Sequence, residues 1–199
     1  KENIETIVET WFLGTEAGNA VADVLFGKYN PSGKLVMSFP YNVGQIPVYY
    51  NHKHTGRPFE PNQRYVMHYI DAPVDALYPF GYGLSYTTFE YGTVRLDREI
   101  LRRGERLTAE VEVSNCGAMD GKETVMWFVS DPTASISRPV RELKHFEKQF
   151  IPAGESRVFR FEIDPVRDLS FPDHTGKRLL ENGAFYLHVN GQKVKFELI

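Results

Sequence analysis

The sequence predicts a mainly β protein in which a sandwich of two sheets follows a short helical segment and a long connector. Downstream of Ser85, apolar and polar residues alternate with a period of two, which is the pattern of half-buried strands. About seven such segments recur at regular intervals over residues 85–199, as in an immunoglobulin-like sandwich. Residues 14–27 instead follow the three- and four-residue spacing of a helix.

Residues 1–40 are predicted to form a strand and a helix that belong to a larger α/β sheet. Apolar residues over positions 4–13 are too dense for a strand with one solvent-facing side, so this strand is expected to be buried on both faces. The helix is expected to run over about residues 16–26, with the Thr15 hydroxyl as N-cap and Gly27 as its end. Because a doubly buried strand needs neighbouring strands and helices, we expect the rest of the sheet to come from elsewhere.

Residues 41–84 are predicted to form an extended connector. They contain five prolines and show no sustained periodicity. A connector of this length without secondary structure is unusual in a compact domain, so we expect aromatic side chains to hold it against neighbouring surfaces. Those side chains are Tyr49, Tyr50, Phe59, Tyr65, Tyr69, Tyr78, Phe80 and Tyr82.

Residues 85–199 are predicted to form the sandwich. The expected strands cover residues 89–96, 107–113, 124–129, 140–150, 158–163, 184–189 and 194–198. The last two flank Asn190-Gly191, a dipeptide typical of two-residue hairpin turns. An antibody-type domain is disfavoured, because Cys116 is the only cysteine and the usual pair of cysteines around a tryptophan is absent.

Composition and charge exclude several functional classes. Hydrophobic residues make up 42% and charged residues 25% of the chain, which are ordinary values for soluble domains. The net charge of -3 and the scattered lysines and arginines argue against a nucleic-acid partner. No apolar run approaches the roughly 18 residues of a membrane span. Cys116 lies in a turn signal and is predicted to be a small turn residue, not a nucleophile.

Several polar side chains could belong to a catalytic or metal-binding site, but local structure explains each of them better. Glu16 follows a strand where α/β folds bind ligands, yet a helix N-terminus lowers the pKa of a carboxyl group, whereas a general acid needs it raised. His52 and His54 lie in an extended segment with no third ligand indicated nearby, so no metal site is expected. The aspartates at strand ends and in loops, where this residue commonly caps turns, are Asp131, Asp164, Asp168 and Asp173.

A sandwich that binds carbohydrate or another protein without catalysis is the main alternative function. Sugar-binding sandwiches stack exposed aromatic side chains on pyranose rings. Trp127 is the only tryptophan downstream of residue 11, and it lies in the apolar run 125–129. Burial in the core is therefore the simpler explanation for Trp127.

A set of long motifs points to one protein family. The run over residues 78–89 reads Tyr-Pro-Phe-Gly-Tyr-Gly-Leu-Ser-Tyr-Thr-Thr-Phe, and the other motifs cover residues 9–35, 44–50, 55–58, 137–146 and 152–155. Together they resemble the C-terminal end of glycoside hydrolase family 3 β-glucosidases. The connector motifs resemble those of bacterial periplasmic members. The run 78–89 resembles the entry to that family's fibronectin type III-like domain.

The resemblance implies a three-part organisation within a larger enzyme. Residues 1–40 would be the end of an α/β sandwich domain, 41–84 the connector and 85–199 the fibronectin type III-like domain. Enzymes of this family hydrolyse terminal β-linked glucose with retention of configuration. They use an aspartate nucleophile from an N-terminal barrel and a glutamate acid/base, about 5 Å apart. Both would precede Lys1, because no residue of this chain matches either motif.

The resemblance also implies the role of the chain and its partners. The chain alone is expected to be inactive and to brace the catalytic domains, with no cofactor and no metal. Its partners would be the missing barrel and α/β domains and, through them, a β-glucoside or oligosaccharide. No nucleic-acid or membrane partner is implied, and a homodimer is compatible with the resemblance. The expected location is periplasmic or extracellular.

Overall fold

A computed structural model describes residues 3–199. Helix α1 spans Ala17–Leu25, and a short 3-10 turn lies at Val43–Gln45. The strands are β1 Phe89–Tyr91, β2 Arg95–Leu96, β3 Ile100–Leu101, β4 Leu107–Asn115, β5 Gly121–Ser130, β6 Glu142–Ile151, β7 Ser156–Ile163, β8 Phe171–Pro172, β9 Arg178–Leu179, β10 Gly183–Val189 and β11 Gln192–Leu198. A π-helical turn, Pro165–Leu169, connects β7 to β8.

The long strands form two sheets that enclose one core. In the first sheet, β4 pairs with β1, β2 and β7, all antiparallel. The second sheet has the order β3-β11-β10-β5-β6, in which β3 and β11 are parallel and the other pairs antiparallel. The predicted mainly β sandwich is therefore confirmed.

Alternate residues of the two sheets meet in the core. On β4, every second residue from Leu107 to Val113 is buried, which is the period predicted from the sequence. On β5, Val125 and Trp127 face these residues, and the Trp127 ring lies 6.0 Å from the Phe161 ring on β7. This burial of aliphatic and aromatic surface is the main stabilising contribution to the sandwich.

Strand boundaries follow the prediction where the alternation is long. The hairpin of β10 and β11 turns at Asn190 (φ 43°) and Gly191 (φ 81°), the two left-handed positions that a type I′ turn requires. The predicted strand 89–96 is divided into β1 and β2, which both pair with β4. The two-residue strands β3, β8 and β9 were not predicted, since two residues carry no periodicity.

The predicted strand over residues 4–13 is wrong for the described chain. These residues form no sheet pairing, and their large apolar side chains are exposed. Those side chains are Ile4, Ile7, Val8, Trp11, Phe12 and Leu13. A strand needs neighbouring strands to satisfy its backbone, and no sheet lies beside this segment within residues 3–199.

The predicted helix is confirmed, but its N-cap is not. Helix α1 begins at Ala17 with Glu16 in the capping position, and no side chain caps the first turn. The Thr15 prediction is wrong because the turn before the helix is closed by a backbone bond from Ala17 N–H to the Gly14 carbonyl at 3.1 Å. Gly27 ends the helix as predicted, with φ 73°. No helix of the described residues is long and apolar enough to span a bilayer.

The connector has little regular structure, as predicted, and an unexpected polar contact fixes its first half. Gln45 is almost fully buried, and its Nε2 donates to the carbonyl oxygens of Pro73 at 2.7 Å and Asp75 at 3.1 Å. Its Oε1 accepts the backbone N–H of Tyr41. One amide side chain thus holds together two parts of the connector that are almost thirty residues apart.

Candidate functional site

The run 78–89 is the structural joint of the molecule. Its backbone pairs with residues 35–39: Leu35 N–H donates to the Tyr82 carbonyl at 2.8 Å, and Phe39 N–H donates to the Tyr78 carbonyl at 2.7 Å. Gly83 lies so close to this segment that a Cβ there would approach the Gly33 carbonyl to 2.3 Å. Only glycine allows the two backbones to pack at this distance.

Asn30 connects three parts of the chain at this joint. Its Oδ1 accepts from the Ser85 hydroxyl and from the Tyr86 N–H, both at 2.8 Å. Its Nδ2 donates to the Asp120 carbonyl of the sandwich at 2.9 Å. The Tyr86 hydroxyl then donates to the Val24 carbonyl of α1 at 2.9 Å. Through Asn30 and Tyr86, the run 78–89 thus holds the sandwich against the helical segment.

A second contact, between the connector and the sandwich, is made by aromatic rings. The rings of Tyr50 and Phe80 stack at 4.3 Å, and both meet the Phe128 ring of β5 edge-on. The Tyr50 hydroxyl accepts the Leu143 N–H at 3.3 Å. The connector is therefore held by aromatic side chains, as predicted, but only through some of them.

Other aromatic side chains of the connector do not hold it. Tyr49, Phe59, Tyr65 and Tyr69 are exposed, so the prediction is wrong for these four. Residues 51–65 are exposed throughout, and the contact of this part with the sandwich is made by backbone instead: the His52 carbonyl accepts the Val140 N–H at 2.8 Å.

A buried ion pair joins residue 34 to the sandwich. Lys34 Nζ lies 3.0 Å from Glu123 Oε1, and the two side chains are only 18% and 7% exposed. The Tyr91 hydroxyl donates to the same oxygen at 2.7 Å. Burial, and then the charge of Glu123, raise the pKa of Tyr91, so its hydroxyl stays protonated as the donor. The carboxylate thus has two partners that offset its desolvation.

An open cleft lies beside this ion pair. We call it the Glu123 cleft; its volume is about 310 Å³. Lys34 and Phe80 line it from the N-terminal side, β5 contributes Glu123 and Thr124, and the β10–β11 turn closes one end. The sequence gives no signal for this cleft, because its lining residues are far apart along the chain.

The carboxylate and histidines considered as site residues do not line this cleft. Glu16 is exposed, and its carboxylate accepts the Asn19 amide at 2.6 Å. His52 and His54 are both exposed, and His52 Nδ1 lies 3.1 Å from the Lys53 carbonyl oxygen. Within residues 3–199, no three histidine, cysteine or acidic side chains are grouped as metal ligands.

Cys116 occupies a turn at the end of β4. It is exposed, and its N–H donates to the Thr88 carbonyl at 2.9 Å. Local desolvation, and then the negative charge of Glu90, raise the pKa of its thiol. A raised pKa keeps the thiol protonated, which is unfavourable for a nucleophile.

The four aspartates cap turns, as predicted. Asp131, Asp164 and Asp173 each accept the backbone N–H two residues further on, at 3.2, 2.9 and 2.8 Å. Asp168 accepts the Asp164 N–H at 2.8 Å. Hydrogen bonds to the ionised form lower the pKa of Asp164 and of Asp173, whereas burial raises that of Asp131.

Trp127 and Arg138 have structural roles in the sandwich. Trp127 is fully buried, so it cannot form a sugar-binding platform, and its predicted place in the core is confirmed. Arg138, in the motif over residues 137–146, is also buried; its guanidinium pairs with Glu142 at 2.5 Å and lies 4.4 Å from the Phe171 ring centre. This motif therefore stabilises a loop of the sandwich.

Two family models match the chain. The C-terminal domain of glycosyl hydrolase family 3 matches residues 1–86, and the fibronectin type III-like domain matches residues 123–193. A periplasmic beta-glucosidase of Salmonella typhimurium is 48% identical to the chain in an alignment of 205 positions that covers 100% of this chain and 27% of that protein. The chain belongs to glycoside hydrolase family 3.

Further relatives of this family 3 chain agree with that assignment. A beta-xylosidase of Formosa agariphila is 41% identical over 94% of this chain and 25% of its own length. The crystal structure of beta-glucosidase from Listeria innocua in complex with glucose superposes with a TM-score of 0.89 and 46% identity, over 94% of this chain and 27% of that one. The chain spans about a quarter of the length of the curated relatives it matches.

Proposed function

We propose that this chain is the C-terminal part of a retaining β-glucosidase that hydrolyses terminal non-reducing β-D-glucosyl residues. One observation carries the proposal: the whole chain matches a periplasmic beta-glucosidase at 48% identity while covering only 27% of that protein. The chain itself braces the catalytic domains and is not catalytic alone.

The proposal assigns the chemistry to residues outside this chain. Retaining hydrolysis needs a carboxylate nucleophile and a protonated acid about 5 Å apart in a sugar pocket. The aspartates described above accept backbone N–H groups in turns, and Glu123 is neutralised by Lys34. The nucleophilic aspartate and the acid/base glutamate therefore belong to the barrel and α/β domains that precede Lys1.

The bracing role rests on the exposed apolar surface of the N-terminal segment. Phe12 is fully exposed and Phe26 is 88% exposed, and α1 has no fully buried residue. Exposed apolar side chains in such number mark a contact surface. We propose that residues 1–40 complete an α/β domain, that 41–84 connect it, and that 85–199 form the sandwich, so that the joint at Asn30 fixes one domain on the other.

The location and the assembly belong to the same proposal. The Salmonella relative is named as periplasmic, which supports a periplasmic location, with extracellular secretion as the other export route. A homodimer is a compatible assembly, and the proposed substrate, a β-glucoside or oligosaccharide, reaches the enzyme through its catalytic domains.

Activity measurements on two proteins test the proposal. The 199-residue chain and the full-length product of its gene are each incubated with 4-nitrophenyl β-D-glucoside and, as a control, the β-D-xyloside. We expect turnover of the glucoside by the full-length protein and none by the chain. Turnover by the chain would contradict the bracing role, and a full-length protein that cleaves only the xyloside would contradict the glucosidase assignment.

A further inference from the structure

Two exposed phenylalanines lie on the outer face of the second sheet. β6 is an edge strand of that sheet, and its Phe146 and Phe150 side chains are 63% and 51% exposed. They share one face because they are four positions apart along the strand. Their neighbours His145 and Ile151 turn inward, to the Phe161 ring and to the core. We call Phe146 and Phe150 the β6 patch; two large apolar side chains on one exposed edge strand mark a contact surface.

The outer face of the first sheet has a different character. Charged side chains of β4 and β7 pair there with each other, as Arg160 does with Glu110 at 2.6 Å. Among the described strands of this sheet, Val158 is the one large apolar side chain that is exposed, at 43%. The first sheet thus has the polar outer face expected in water, whereas the phenylalanines of β6 need a partner that covers them.

Phe146 continues a contact that the connector makes with β5. In the β5–β6 pair, Phe146 lies opposite Met126. Gly81 of the connector packs on Met126 so closely that a Cβ at this glycine would lie 2.9 Å from the methionine sulfur. The outer face is therefore covered by the connector at β5 and exposed on the next strand, about 4.8 Å away.

Phe150 lies next to the exposed end of α1. It is opposite Lys122, whose ammonium is 5.9 Å from the Tyr29 ring centre. Tyr29 follows α1 and is bonded to it, because its N–H donates to the Asp23 carbonyl at 2.9 Å. Phe26 at the end of α1 is 88% exposed and Tyr29 is 46% exposed. The apolar end of α1 and the outer face of β6 are therefore joined through the Tyr29 ring and the Lys122 side chain.

The exposed charges beside the β6 patch are positive. Lys148 lies between the two phenylalanines on the same face, and Lys122 lies opposite Phe150. Neither lysine is paired with an acidic side chain of residues 3–199. A partner of complementary chemistry therefore presents an apolar surface with at least one carboxylate beside it.

We propose that the β6 patch docks on the part of the same polypeptide that precedes Lys1, namely the α/β domain that residues 1–40 complete. This inference rests on the proposed function, which supplies that domain. Because the domain is tethered through residues 1–40 beside the patch, it meets β6 at a high effective concentration, whereas a second copy does not. The sandwich then contacts the α/β domain directly, and not only through the joint at Asn30.

Hydroxyl-radical footprinting of the unchanged proteins tests the proposal, because a side chain is oxidised faster the more it is exposed. The 199-residue chain and the full-length product of its gene are oxidised side by side, and peptide mass spectrometry follows Phe146, Phe150 and Val158. We expect both phenylalanines to be oxidised roughly fivefold more slowly in the full-length protein, because the centre of an interface is desolvated. Val158 is the matched control on the other sheet and should be oxidised equally fast in both proteins.

Substitutions measure whether the covered rings hold the sandwich in place. The double variant Phe146→Thr/Phe150→Thr keeps residues that suit a strand but removes the apolar rings. It should lower the melting temperature of the full-length protein by at least about 4 °C more than that of the isolated chain, where both rings are exposed. Val158→Thr should shift the two proteins equally.

Three results would overturn the proposal. The first is oxidation of the phenylalanines at the same rate in both proteins, and the second is an equal loss of melting temperature in both. The third is protection of the isolated chain that increases with its concentration, because the β6 patch would then dock a second copy. Glucosidase activity is measured separately. An inactive full-length protein with protected phenylalanines contradicts only the proposed function, whereas an active one with unprotected phenylalanines contradicts only the docking surface.

Discussion

Replacing Lys34 by methionine tests the contact on which the bracing role depends. The Lys34 and Glu123 side chains are 18% and 7% exposed, so Lys34→Met leaves a buried carboxylate with Tyr91 as its remaining donor. Breaking a buried pair from one side costs about 3–5 kcal/mol. With a urea m-value of about 2 kcal/mol/M, the unfolding midpoint should fall by roughly 2 M.

The double variant separates the ion pair from simple packing. In Lys34→Met/Glu123→Gln no buried charge is left, so its loss of stability should be smaller than the sum of the two single losses by about 1–3 kcal/mol. Lys28→Met is the matched control, because Lys28 and Asp23 form an exposed pair at 3.1 Å with side chains 78% and 39% exposed. Its effect should stay below about 1 kcal/mol.

Urea unfolding, followed by tryptophan fluorescence, measures the unchanged chain and the four variants: Lys34→Met, Glu123→Gln, the double variant and Lys28→Met. Additive effects of the two single substitutions would refute the ion-pair argument. So would a Lys34→Met midpoint equal to that of Lys28→Met. Either result would mean that residue 34 is not held on the sandwich by its charge.

Three other predictions concern the joint, the core and pH. Asn30→Ala removes three hydrogen bonds and should increase amide exchange at Tyr86 at least tenfold, whereas unchanged exchange would contradict the joint. Trp127→Ala should cost about 3–5 kcal/mol in urea unfolding and the exposed Trp11→Ala under about 1 kcal/mol; equal losses would be inconsistent with the core. The folded-state pKa of His188 is lowered, so the unfolded chain binds more protons and stability falls as pH drops below about 6.5. His188→Gln should flatten this decline in thermal melts from pH 7 to 5, and an unchanged slope would argue against it.

The sandwich was predictable because its signal is local. The alternation along β4 and the Asn190-Gly191 turn depend on neighbouring residues in the chain, and both are found in the structure. The strand over residues 4–13 failed for the opposite reason. A segment so rich in apolar residues forms a buried strand only where neighbouring strands cover it. Within residues 3–199 no strand lies beside this segment.

The polar contacts of the joint and the cleft could not be read from the sequence. Asn30 and Asp120 are 90 positions apart, and Lys34 and Glu123 are almost as distant. A lysine and a glutamate that lie in two unrelated motifs produce no periodic pattern that would indicate an ion pair between them. The turn aspartates were predictable because each contacts a residue two to four positions away.

The Asn30 joint also sets an order of events during synthesis. Asp120 leaves the ribosome 90 residues after Asn30, a delay of roughly 5–18 s at translation rates of about 5–20 residues/s. During that interval, the apolar side chains of residues 4–26 are already made while the sandwich that fixes their segment is not. The sandwich is therefore made after the segment that it fixes, and the Asn30 contact with Asp120 can form only once that strand region has been synthesised.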